Sequence, residues 1–160
     1  MTNLRKDTDI AVAIVASALV EAALERLLAA KFVIKNDDLL NRLFQNEGPL
    51  SNFNGKILVA QAFGIITSPL AEEMHTIRAI RNAFAHAKVP ITFDNDVVFH
   101  EVSGLKLITS MSDIIEIEGM NPMTGKVSFL LAVRLILILL DDFEKHKGTA
   151  DTALAAALAR

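Results

Sequence analysis

Apolar residues recur at intervals of three and four through most of this 160-residue chain, the spacing that gives a helix one greasy face. Val12, Val15, Leu19, Leu24, Leu27 and Leu28 place such a face on a first helix over 7–31, with Asp9, Ser17, Glu21 and Glu25 on another side. Asp7 or Thr8 is the expected cap. Asp9 suits the positive end of the helix dipole and Lys31 the negative end. A shorter helix follows from Asn36 or Asp37 to about Gln45, broken by Asn46-Glu47-Gly48-Pro49, with Leu50–Phe53 as an ordered turn. Asn54 is the expected cap of a third helix through Lys56–Phe63, ended by Gly64.

Ser68 followed by Pro69 starts a fourth helix that reaches about Ala87 and is stopped by Pro90. Ile91–Phe93 reads as a short extended piece, and Asp94 or Asn95 caps a modest helix through Val98–Val102. Over 103–118, Ile114, Ile115 and Ile117 suit a helix turn or a short strand equally. Asn121-Pro122 and Gly125 mark a turn before a long helix to about His146, whose negative end carries Lys145, His146 and Lys147. An Ala-rich stretch over 151–160 closes the chain as a short helix. No repeat or low-complexity linker divides the sequence. The expectation is therefore an all-α, single-domain bundle of about six to seven helices over 1–160.

Composition sharpens this picture. Hydrophobic residues make up 52% of the chain, and the aromatics are all Phe, which favours close helix–helix packing over a sheet sandwich. A chain of this length buries roughly 68–70% of its unfolded surface, enough for a core without staples. With no Cys, disulfides, thiolate metal sites and Cys nucleophiles are excluded, in keeping with a cytoplasmic protein. The net charge of −3 and scattered Lys and Arg argue against gripping nucleic acid by bulk attraction. Ala11–Leu19 lacks the flanks of a secretory signal, and Val127–Leu140 is too short to span a bilayer and carries Arg134. Neither is expected to enter a membrane.

The candidate chemistry lies on the fourth helix. At about 100° per residue, His75, Arg78, Asn82 and His86 form one polar stripe opposite Leu70, Met74, Ile77, Ile80 and Phe84. Arg81 falls at the border. An arginine binds phosphate or carboxylate, a histidine exchanges a proton near neutral pH, and an asparagine orients either. The set suits anion binding or cleavage of RNA through a ribose 2′-hydroxyl. A structural reading stands beside it, in which Arg81 pairs with a buried carboxylate such as Glu21 and His86 simply ends a helix. Arg134, inside an apolar run, suits pairing with an acid in the core or at an interface. The four histidines are not at metal-ligand spacings, no phosphate-cradling loop is present, and Gly55-Lys56 lacks the hydroxyl such a loop needs. No metal or other cofactor is expected.

The spacing of Arg81, Asn82 and His86 resembles the signature of the HEPN superfamily, helical bundles that include toxin-type RNases and non-catalytic members. A wider set is similar to the mannitol operon repressor family. It comprises Glu21, Leu43-Phe44-Gln45, Gly48-Pro49-Leu50-Ser51, Phe53, Gly55-Lys56-Ile57, Gly64-Ile65-Ile66, and Ile77–His86 followed by Phe93. This resemblance covers about residues 7–99. It implies an all-α, often dimeric regulator of a sugar-alcohol uptake operon without a recognisable helix-turn-helix.

Three functions follow. The first is a transcriptional repressor or co-repressor of a mannitol-type operon, homodimeric, acting through a sugar-transport or regulatory protein and touching DNA weakly or indirectly. The second is a metal-independent RNase with His86 as acid or base, Arg81 stabilising the phosphorane and Asn82 positioning both. The third is a non-catalytic interaction module in which the motif stabilises the bundle. Arg78, Arg81, Asn82, His86, His75 and Glu21 are the candidate ligand- or partner-binding residues.

Overall fold

The computed structural model describes residues 2–34, 36–109 and 124–145. Among them every regular element is a helix: α1 (Thr2–Lys31), α2 (Asp37–Phe44), α3 (Phe53–Ala62), α4 (Ser68–His86), α5 (Asp96–Ser103), α6 (Lys106–Thr109) and α7 (Gly125–Lys145). The all-α expectation holds. Most of the stretch expected as helix or strand over 103–118, and the Ala-rich helix over 151–160, lie outside the described residues.

The longest helix, α1, is the centre of the bundle and packs against α7, α4 and α3. Its buried side is built from Ala13, Ala16, Val20, Ala23, Leu24, Leu27 and Leu28. The small alanines let neighbouring helices approach closely. Two expectations for this helix are overturned. It begins at Thr2, so Asp9 is not at the helix start but about a quarter of the way along, and it is 2% exposed. Val15 and Leu19, expected in the core, are 58% and 54% exposed, while Ser17 is buried. The sequence offers two apolar stripes, and the alanine-lined one faces inward.

Asp9 holds the two long helices together. One carboxylate oxygen meets Lys126 Nζ at 2.9 Å and the other accepts from the Phe93 backbone N–H at 3.3 Å. Gly125 makes this meeting possible, because a Cβ there would lie 2.5 Å from the Phe93 carbonyl oxygen. Phe93 itself is buried between Phe84 and Phe129, with ring centroids at 4.7 and 5.1 Å. It therefore bridges α4 and α7. Residues 91–93, expected as a short extended piece, belong to no helix or strand, and Phe93 begins a turn.

The remaining boundaries follow local chemistry. Asn36 caps α2 by accepting from Leu39 N–H at 3.0 Å, and Asn95 caps α5 by accepting from Val97 N–H at 3.1 Å. Thr67, not Ser68, caps α4, with Pro69 in its first turn. Gly64, at φ 64°, ends the α3 region by taking the left-handed conformation that other residues avoid. Glu73 is buried on α4 and accepts from Lys106 and Leu107 N–H at 2.9 and 3.4 Å, holding the start of α6. Arg134 is exposed on α7 and is not the core cation that its apolar neighbours suggested.

Candidate functional site

The N-terminus of α3 and the middle of α4 enclose a cleft of about 300 Å³. Its position comes from the turn before α3. Leu50 N–H bonds to the Leu43 carbonyl at 2.9 Å and Ser51 N–H to the Gly48 carbonyl at 3.0 Å, folding the turn back onto α2. Gly55 lets this turn pass under Pro49, whose carbonyl oxygen would be 2.7 Å from a Cβ. Asn52 then caps α3 by accepting from Gly55 N–H at 2.9 Å. The expected cap, Asn54, is instead the second residue of the helix. Ser51, Asn52, Phe53 and Asn54 form one wall of the cleft, and Arg78, Arg81 and Asn82 form the other.

The floor is Glu21 of α1, and the structure gives it a partner different from the one expected. Lys56, with a side chain only 4% exposed, places Nζ 2.8 Å from Glu21 and 2.8 Å from Glu25. Burial draws the Lys56 pKa down, but the hydrogen bonds and charges of the two carboxylates outweigh it and leave the pKa above its usual value. Arg81 does not pair with Glu21. It is exposed and donates from Nη1 to Asn82 Oδ1 at 3.1 Å. Lys56, buried on α3 against α1, already occupies Glu21, while Arg81 is bonded to its own neighbour Asn82.

Arg78 is half-buried, and its Nε is buried without a hydrogen-bond partner. Among the described residues, neither Arg78 nor Arg81 forms an ion pair. His75, one turn before Arg78, has its pKa lowered by burial and then by the Arg78 charge. Of the candidate residues read from the sequence, the cleft gathers Glu21, Arg78, Arg81 and Asn82. His75 and His86 do not line it, and His86 is exposed at the end of α4. Lys56, Ser51 and Asn54 were not singled out as site residues. A lone lysine directly before the apolar run Ile57–Ala60 was the available signal, because a charge buried with such a run needs a carboxylate partner.

Among the described residues no group of three or more His, Asp or Glu is placed to hold a metal, and no helix is long and apolar enough to cross a membrane. No family model matches the chain and no curated protein matches it. A solved structure does. The chain is similar to one in the X-ray structure of the MtlR–HPr complex from Escherichia coli, at 17% identity and a TM-score of 0.54. The match covers 92% of this chain and 88% of that one. The likeness is one of fold.

Proposed function

We propose that the chain is a regulator of the mannitol-repressor kind, acting on a sugar-alcohol utilisation operon in the cytoplasm through a protein partner. The fold shared with a chain of the MtlR–HPr complex along 92% of this sequence carries the reading. Its net charge of −3 supports indirect action, because direct affinity for duplex DNA rests largely on neutralising phosphates. On this reading an HPr-type protein is the natural partner to test first.

A homodimer belongs to the same proposal. Val15 and Leu19 of α1 and Leu130 of α7 line one shallow apolar cleft and are all substantially exposed. Covering them in a second copy would remove apolar area from water, the driving force for most subunit association.

The test mixes the purified chain with HPr and regulatory proteins from its own cell, and separately with duplex from the operon's control region. A stoichiometric protein complex and weak, salt-sensitive DNA binding are expected. A tight, operator-specific shift by the chain alone overturns indirect action, and failure to bind any such protein overturns the partner. The RNase reading has less support, because Arg81 and Asn82 line the cleft without His86. The interaction-module reading keeps its general sense but loses the Arg81–Glu21 lock.

A further inference from the structure

We infer that the cleft between α3 and α4 binds the phosphate group of a small phosphorylated molecule. The inference stands apart from the regulator reading, since it rests on the cleft alone.

Arg78 and Arg81 are three residues apart on α4, so their like charges sit one helical turn from each other and repel. No carboxylate among the described residues forms an ion pair with either one; Glu21, the acid within the cleft, is bonded to Lys56, which it shares with Glu25. The buried Arg78 Nε has no acceptor. Buried donors without acceptors are uncommon and point to a missing partner. An anion between the two guanidinium groups would supply it.

The opposite wall adds donors of the right kind. Asn52 uses its Oδ1 on Gly55 N–H, which leaves its amide N–H groups for other partners. The first-turn N–H groups of Phe53 and Asn54 have no acceptor within α3, and the helix dipole favours negative charge there. Three terminal oxygens of a phosphate monoester match donors converging from two walls better than the two oxygens of a carboxylate. A volume of about 300 Å³ suits a small molecule. Ser51 and Glu21 are placed to meet the hydroxyl groups of its remainder. A nucleic-acid strand would need a basic track leading away from the cleft, whereas Glu21 lies in it and Glu25 adjoins through the shared Lys56.

The experiment follows backbone amide and arginine Nε signals of the full chain by NMR at constant ionic strength. Inorganic phosphate, glycerol 3-phosphate, a tetraglutamate peptide and a short single-stranded RNA are added in turn. Saturable shifts at Phe53, Asn54 and Arg78 are expected with phosphate, and binding at least as tight with the ester. Arg81→Gln, at an exposed position, is expected to weaken the ester about tenfold or more while the rest of the spectrum stays unchanged. Arg78→Gln is expected to do the same, with its fold checked by the spectrum. Absence of saturation, binding of phosphate without the ester, or equal affinity in Arg81→Gln overturns the inference. So does tighter binding of the peptide or the RNA than of the ester.

Discussion

Lys56 Nζ lies 2.8 Å from Glu21 Oε1, joining α3 to α1 beneath the cleft and leaving Arg81 free to face outward. Removing the lysine leaves Glu21 and Glu25 as neighbouring uncompensated carboxylates. Because these are 25% and 32% exposed, the cost is below that of a fully buried pair. Lys56→Met is expected to lower unfolding free energy by about 2–3 kcal/mol in urea titration. Arg81→Ala is expected to change it by less than about 0.5 kcal/mol, as an exposed side chain should. The folded-state pKa of Lys56 is raised, so its contribution is complete below the unfolded value of 10.5 and disappears as pH rises through the folded value.

Asp9→Ala should be more damaging than any substitution on the cleft. It leaves Lys126 without its counter-charge and the buried Phe93 N–H without an acceptor. A loss of about 3–5 kcal/mol is expected, read as a fall in the denaturation midpoint.

Gly125→Ala tests close packing in place of charge. The added methyl would strike the Phe93 carbonyl oxygen, a backbone atom that cannot rotate away. A destabilisation of about 1–3 kcal/mol is expected by thermal melting. An unchanged melting temperature would show that Phe93 and α7 are not held as closely as described.

Leu19→Glu places a charge on the exposed apolar face of α1, at a position 54% open to solvent. Sedimentation should shift from dimer to monomer, while helical content and stability of the monomer change little. A wild-type chain that is monomeric at all accessible concentrations would remove the dimer.

Glu73 supplies the acid-side test. Burial raises its pKa, and the N–H groups of Lys106 and Leu107 oppose that rise without cancelling it. A raised carboxyl favours the native state in its protonated form. Its contribution is therefore present below the unfolded value of 4.5 and is lost as pH rises through the folded value. The wild-type chain should gain relative stability against Glu73→Gln as pH falls from neutrality across that window. Parallel pH profiles for the two proteins would contradict the assignment.

The helices were legible because spacing and caps speak locally. Leu70, Met74, Ile77, Ile80 and Phe84 were read as one buried face, and all five are buried. What failed required knowledge of neighbours. Val15 and Leu19 have the right period for a core, but only the position of α7 decides which stripe of α1 turns inward. Asn52 and Asn54 are both competent caps, and the fold of the preceding turn selected Asn52. The cleft was half legible. Arg78, Arg81 and Asn82 announced themselves by sharing a helix, whereas Ser51 and Asn54 arrive from another element, and Glu21 was assigned to the wrong cation.

The clasp between Asp9 and Lys126 spans 117 residues of sequence, and so cannot close until most of the chain has been translated. When the ribosome has delivered α1, α7, one of the three helices that pack against it, is still untranslated. Apolar surface of this kind invites aggregation until its distant partner arrives. The nascent chain should therefore depend on chaperones for most of its translation, and premature termination before α7 should yield an insoluble product rather than a smaller folded one.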